Sequence, residues 1–152
     1  MPSPSDLRAG FAPLISQIAR EWRRAVDRRL EPFGLTEATW LPLLRIARSV
    51  APMRQNELAA SLSLDNSSVV RLLDSLQNAG LVERREDSSD RRAKSLALTP
   101  AGRQTVAQVE QVSQDIRRSA LEGLSDDDIA RAFQTLVSVR EKLADLLEPV
   151  AA

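Results

Sequence analysis

The sequence predicts a mainly α-helical fold carrying one small β-wing. Three signals between Gln55 and Gly102 predict it by following one another in an order that few folds require. A short helical pattern comes first, over Gln55 to Leu62. A second helix follows from Asn66 to Ala79, with Asp65 as its cap and Gly80 as its stop. A charged hairpin then runs from Val82 to Thr99, with the turn-forming stretch Asp87-Ser88-Ser89-Asp90-Arg91-Arg92 at its tip, and helix resumes at Thr99-Pro100. Helix, turn, helix and a two-stranded ribbon tipped with arginines is the outline of a winged helix-turn-helix, which sets its second helix in the major groove of DNA.

The second helix separates into two faces when its residues are projected at about 100° per position. Val69, Leu72, Leu73, Leu76 and Ala79 fall on one side, the side expected to be buried. Opposite them lie Ser67, Arg71, Asp74 and Asn78, with Asn66 and Ser68 in the first turn, all able to donate or accept hydrogen bonds. Asp65 can accept from the free N–H groups at the helix start, and Gly80 can adopt the left-handed conformation that ends a helix. An ordinary surface helix with a solvated polar side has the same two faces, so the neighbouring ribbon decides. There Arg84, Arg85, Arg91, Arg92 and Lys94 stand within eleven residues, among Glu83, Glu86, Asp87 and Asp90. The planar, multi-donor arginine head suits phosphate contacts and a narrow minor groove better than lysine does. Leu96 and Leu98 alternate with Ser95, Ala97 and Thr99, which gives the return strand one apolar side. Thr99 before Pro100 is a strong helix start.

These residues resemble the MarR family of transcriptional regulators. The resemblance rests on Leu58-Ala59, on Ser68-Val69-Val70-Arg71-Leu72-Leu73-Asp74-Ser75-Leu76, and on Ala79-Gly80-Leu81-Val82-Glu83-Arg84. It continues through Asp90-Arg91-Arg92-Ala93-Lys94 and Leu98-Thr99-Pro100-Ala101-Gly102 and, with the N-terminal residues that follow, covers nearly the whole chain. Trp22-Arg23, Asp27-Arg28-Arg29-Leu30, Pro32, Leu35-Thr36 and Trp40 are similar to the SlyA-like branch. Two positions depart from the pattern. Ser63 stands where the family usually has glycine, so a left-handed turn there carries strain, and Ser67 stands where that branch often has proline. The resemblance implies a homodimer on a double-stranded, pseudo-palindromic operator. It implies base and phosphate contacts from Asn66, Ser67, Ser68 and Arg71, backbone contacts from Arg84, Arg85 and Lys94, and minor-groove contacts from Arg91 and Arg92, with Asp90 orienting Arg92. A winged helix used for protein contact without specific DNA binding is the alternative from another class.

Composition narrows the function further. With no cysteine and no histidine, the chain has no thiol redox sensor, no conventional Cys or His metal site, and no Ser-His or Cys-His catalytic arrangement. No motif pairs two carboxylates for acid and base roles, so neither an enzyme nor a cofactor is expected. The net charge is zero, unlike that of most DNA-binding domains. Its distribution compensates: Glu122 to Glu148 holds seven acids and three bases, whereas Arg45 to Lys94 holds nine bases and seven acids. The first ten residues lack a secretory apolar run and no segment approaches a membrane span, so a cytoplasmic location is expected.

A single domain is expected over residues 6–148, with the winged core at 36–99 and dimerisation helices at 6–31 and 100–148; the first five and last four residues read as tails. Leu14, Ile18, Trp22, Val26 and Leu30 recur every four residues, a stripe that needs a partner surface. Pro32-Phe33-Gly34 closes that helix. Val106, Val109, Ile116 and Ala120 mark a second apolar line, with Ser113 in its gap. Ile129, Phe133, Leu136, Leu143 and Leu147 mark a third, on a helix begun by Ser125 and Asp126 to Asp128. Interlocking with a second copy would cover these seams; a bundle folded back within one chain would also do so.

Trp22 and Trp40 are two of only five aromatic residues, and they lie near Arg20, Arg23 and Thr36 in the sequence. An aromatic carboxylate of the salicylate type would find stacking surface and charge complement there, and the SlyA-like resemblance implies such an effector. Leu44 stands where that branch can carry a polar ring, which makes this pocket more apolar. The same tryptophans, read with the apolar stripe, simply fill the core.

Overall fold

Long, capped helices alternate with one small sheet in the computed structural model, which describes residues 1–86, 90 and 94–147. Helix α1 spans Pro4–Leu30 and is followed by a 3-10 turn at Glu31–Phe33; α2 is Glu37–Arg48, β1 Met53–Arg54, α3 Gln55–Ser61 and α4 Asn66–Asn78. Strands β2 (Val82–Glu86) and β3 (Lys94–Leu98), then α5 (Pro100–Ala120) and α6 (Asp126–Leu147), complete the order. The mainly helical fold with a β-wing is as the sequence predicts.

Two units divide the chain, Met1–Ile116 and Arg117–Ala152. The first contains the core. Val26 and Leu30 from α1 meet Trp40, Leu43, Leu44 and Ile46 from α2, while Leu58 and Ala59 come from α3, and Val69, Leu73 and Leu76 from α4. Val82 and Leu96 from the sheet and Val106, Val109 and Ile116 from α5 close it. Arg48 on α2 also reaches Glu110 on α5 at 3.5 Å, a surface tie added to the apolar packing.

Several boundaries differ from expectation for identifiable reasons. Helix α1 begins inside the expected tail because Ser3 accepts from the Asp6 amide while Asp6 Oδ2 accepts from the Ser3 amide and hydroxyl. That reciprocal box, with Pro4 in the first turn, satisfies donors the helix start would otherwise leave open. The expected C-terminal tail lies outside the described residues. Ala79 and Ala120, placed on apolar faces by projection, are exposed: each sits where its helix ends. Ser95, expected on the outer side of the return strand, is buried. The cause is β1, which the sequence pattern did not predict. It pairs antiparallel with β3, Met53 opposite Leu96 and Arg54 opposite Ser95, so β3 becomes the central strand of the order β1-β3-β2, and the small Ser95 side chain is enclosed between the residues paired on either edge, Arg54 and Arg85.

The apolar stripe of α1 is used in only one half. Val26 and Leu30 are buried and Trp22 is half-buried, whereas Leu7, Phe11, Leu14, Ile15 and Ile18 are exposed. In the second unit, Ser125 caps α6 by accepting from the Asp128 amide and donating to its carboxylate. No residue of α6 is buried among those described, and Phe133, Leu136, Leu143 and Leu147 are all exposed.

Ser63, in the turn between α3 and α4, has φ 54°, the one positive φ at a non-glycine among the described residues. A side chain in this conformation costs about 1 kcal/mol. Ser63→Gly is therefore expected to raise stability by up to about that amount, offset in part by the greater freedom of glycine in the unfolded chain. The check is the midpoint of urea unfolding; an unchanged or lower midpoint would mean that this turn is unstrained.

Candidate nucleic-acid interface

Helix α4 stands on its apolar face. Val69, Leu73 and Leu76 are buried and Leu72 is half-buried, which turns Ser67, Arg71, Asp74 and Asn78 outward, all exposed. Its start is organised by Asp65. Oδ1 of Asp65 accepts from the Ser68 amide at 2.7 Å and from the Ser67 hydroxyl at 2.6 Å, and Oδ2 accepts from the Ser68 hydroxyl at 2.8 Å. The Ser67 hydroxyl and then the Ser68 amide and hydroxyl hold the Asp65 carboxyl well below the ordinary carboxylate range. Because its folded value is depressed, the cap's contribution to stability is complete above the unfolded pKa near 4 and is lost only as pH falls through the lower folded one.

This cap also determines what the serines can do. With their protons donated to Asp65, Ser67 and Ser68 present lone pairs, which suit a base amino group in the major groove and do not suit a phosphate oxygen. Ser67 is exposed and Ser68 half-buried; Asn66 is exposed beside them. One turn further on, Arg71 is exposed and makes no hydrogen bond or ion pair among the described residues. Its guanidinium is uncommitted.

The helix ends where Gly80, at φ 72°, takes the left-handed position. The Gly80 amide donates to the Gln77 carbonyl at 2.9 Å and the Leu81 amide to the Leu76 carbonyl at 3.0 Å, the paired bonds of a Schellman ending. Thr99 joins this ending to the next helix. Its hydroxyl donates to the Gly80 carbonyl at 2.5 Å and accepts from the Gly102 amide at 3.0 Å, and its own amide donates to the Leu81 carbonyl at 3.1 Å. The exit of α4 and the entrance of α5 are thus one hydrogen-bonded junction. The sequence announces Thr99 as a cap but gives no sign of its bond to Gly80, nineteen residues away.

On the wing, β2 and β3 pair in register from Val82 opposite Leu98 to Glu86 opposite Lys94. Arg85 is exposed and paired with Glu83, and Lys94 is exposed. Arg84 turns toward α4, where it meets Asp74, Gln77 and the Val70 carbonyl. Arg91 and Arg92, the arginines expected at the minor groove, lie outside the described residues; Asp90, the residue before them in the chain, is exposed.

The residues expected to bind an aromatic anion are placed on α1, α2 and the turn between them. Trp40 is 3% exposed and donates its indole N–H to Asp27 Oδ1 at 3.2 Å, and Leu44 is buried. Trp22 is half-buried against the core. Arg23 pairs with Glu37 at 3.2 Å, while Arg20 and Thr36 are exposed. A satisfied, buried Trp40 accounts for that residue by packing alone. A separate open cleft of about 450 Å³ runs along α5, lined by Ala101, Gln104, Thr105 and Gln108. Among the described residues no cluster of acids could hold a metal ion, and no helix is long and apolar enough to cross a membrane.

The family model described as MarR matches residues 35–94, from the residue before the Thr36 cap to the first residue of β3. The crystal structure of the transcriptional regulator PA3341 is 37% identical, covers 89% of this chain and 98% of its own, and superposes with a TM-score of 0.82. The reduced form of MarR from E. coli is 30% identical over 85% of this chain and 95% of its own, with a TM-score of 0.71. This chain belongs to the MarR family. S. aureus MepR, solved as a DNA complex, shares the fold at 23% identity and a TM-score of 0.75, over 88% of this chain and 96% of its own.

Within this MarR chain, the matched segment is the part in which sequence and geometry agree best. It holds the helix pair, the Asp65 cap, the Gly80 ending and the first half of the wing. The junction at Thr99 and Gly102 lies just beyond it. Gly102 is required there by contact: a Cβ at this position would stand 2.0 Å from the Leu81 carbonyl oxygen.

Proposed function

We propose that this chain is a sequence-specific DNA-binding transcriptional regulator of the SlyA-like branch, acting in the cytoplasm as a homodimer on a pseudo-palindromic operator. The observation that carries this reading is the outer face of α4. Its apolar side is committed to the core, its first turn is held by Asp65, and Arg71 projects from it with no partner among the described residues. An exposed arginine on a rigid helix of groove-filling diameter is the element that reads guanine edges in the major groove. Ser67 and Ser68 accept from base amino groups, Asn66 supports them, and Arg85, Lys94, Arg91 and Arg92 meet phosphates or the minor groove. Two exposed apolar seams support the homodimer. One is the first half of α1, with Leu7, Phe11, Leu14 and Ile18; the other is α6, with Phe133, Leu136 and Leu143. Seams of this length are rarely left to water in a soluble protein.

Salt-dependent mobility shifts on genomic fragments test DNA binding. Affinity should fall steeply with salt, as counterion release by several phosphate contacts requires; a salt-independent or absent shift points to a protein-contact module instead.

A small aromatic anion at Arg20, Trp22, Arg23 and Thr36, above Trp40 and Leu44, is the proposed effector site. Binding there changes DNA affinity only if the anion prefers one spacing of the two recognition helices over another. Salicylate is expected to quench tryptophan emission and to weaken operator binding together, and Arg23→Ala to blunt both. Flat titrations to millimolar salicylate would remove this ligand class.

A further inference from the structure

Among the wing cations with described side chains, Arg84 alone spends its donors on α4, whereas Arg85 pairs with Glu83 on its own strand. We propose that Arg84 is a positioning residue that straps the wing to the recognition helix, and that it sharpens operator discrimination without touching DNA. Its Nη1 donates to Asp74 Oδ1 at 2.8 Å and to Gln77 Oε1 at 3.0 Å, and its Nη2 donates to the Val70 carbonyl at 3.5 Å. Residues 70, 74 and 77 follow one another along a single flank of α4 at helical spacing. One guanidinium therefore holds two turns of the helix from one point on β2.

Burial separates Arg84 from its neighbours. Its side chain is 19% exposed, against 54% for Asp74 and 62% for Arg85. Arg84 is two residues from the buried Val82, on the same side of β2, and it stands opposite Leu96 on the central strand. The strand that carries it is thus fixed in the core at one end and by pairing throughout. Such a strut transmits the orientation of the sheet to α4. It also leaves Asp74, an acid on the outward face of the recognition helix, neutralised by Arg84 before any phosphate approaches.

A strut and a phosphate contact respond differently to substitution. The planar fork of arginine makes several directed bonds at once, which the single ammonium of lysine does not reproduce, whereas lysine serves well as a point charge beside a phosphate. A lost phosphate contact lowers the salt slope by about one per chain and weakens all sequences alike. A lost strut leaves the slope unchanged and costs discrimination.

The experiment compares Arg84→Met, Arg84→Lys and Asp74→Asn with the parent, using full-length protein and a site selected from random duplexes. Operator and random DNA are titrated across a salt series, and amide hydrogen exchange is followed on the free proteins. All three variants should lose roughly tenfold in the ratio of operator to random affinity, the magnitude of one charged hydrogen bond, and keep the parental salt slope. Exchange should accelerate in residues 70–77 and 82–86 and remain parental in α1. Rescue by lysine, or a slope lowered in Arg84→Met, would make Arg84 a phosphate contact and overturn the proposal. Parental exchange in Arg84→Met would also overturn it. This inference rests on the DNA-binding reading for its discrimination arm only. A parent that selects no site refutes that reading, while hydrogen exchange still decides whether Arg84 is a strut.

Discussion

Arg71→Ala is expected to weaken operator binding by about 1 to 3 kcal/mol for each recognition helix engaged, since a bidentate arginine contact to a guanine edge carries about that much discrimination. In a homodimer the loss is made twice, so the selected operator should approach the affinity of random DNA. The physical reason is the state of this side chain in the free protein. Arg71 has no ion pair or hydrogen bond to give up among the described residues, so its donors are available to bases without prior rearrangement. The fold should be untouched, because Val69, Leu73 and Leu76 and the Asp65 cap remain in place. Fluorescence anisotropy with operator and random duplexes reads the effect, and circular dichroism checks the fold. Equal affinities of variant and parent on both duplexes would mean that this face of α4 does not read DNA.

Gly102→Ala is expected to have the largest effect on stability of any glycine-to-alanine change in this chain. The new Cβ would lie 2.0 Å from the Leu81 carbonyl oxygen, 3.0 Å from its carbon and 3.4 Å from Leu98 Cδ2. Neither side of that contact can yield cheaply. Leu81 is held by the hydrogen bond its amide donates to the Leu76 carbonyl and by the one its carbonyl accepts from the Thr99 amide, and the Gly102 amide donates to the Thr99 hydroxyl. Separating the two would break the junction between α4 and α5. A cost of about 3 kcal/mol follows from overpacking together with lost capping bonds, or a fall of roughly 10 °C in melting temperature for a chain of this size. Gly10→Ala supplies the control. Gly10 lies within α1 with no atom near the added Cβ, so alanine there should stabilise by up to about 1 kcal/mol. Melting curves that shift alike for the two variants would show that position 102 is not closely packed.

Gly102 and Arg84 also mark the limit of what local sequence reveals. The helices of the winged core were legible because their signals are local: Asp65 three residues before Ser68, Gly80 directly after the last turn, Thr99 beside Pro100. The winged outline followed from their order. Strand β1 was not legible, since two residues, Met53 and Arg54, hold no alternation and owe their pairing wholly to the edge of β3. From that one omission came the misplacement of Ser95. The start of α1 rests on Ser3, Pro4 and Asp6, a capping box that ordinary tail composition, polar and proline-containing, conceals.

The candidate site divides in the same way. Projection alone placed Ser67, Arg71, Asp74 and Asn78 on the outer face of α4, because helical period is a property of the segment itself. It does not reveal that Ser67 and Ser68 turn their protons toward Asp65, or that Arg84 reaches across to Asp74 ten residues earlier. Charge in the wing identified a basic ribbon and not which arginine faces the protein. For Trp40, the chemistry of its ring allowed both a ligand wall and a core residue, and only burial with the Asp27 bond distinguishes what it does in the single chain.

Two copies of α4 are expected to read a two-fold site on duplex DNA. Selection of random duplexes by the full-length protein, followed by sequencing of the retained pool, tests it most directly. The expected result is an enriched inverted repeat whose half-sites are centred about one helical turn, roughly 10 base pairs, apart. Retention of a single unpaired half-site, or a pool with the composition of the input, would contradict it.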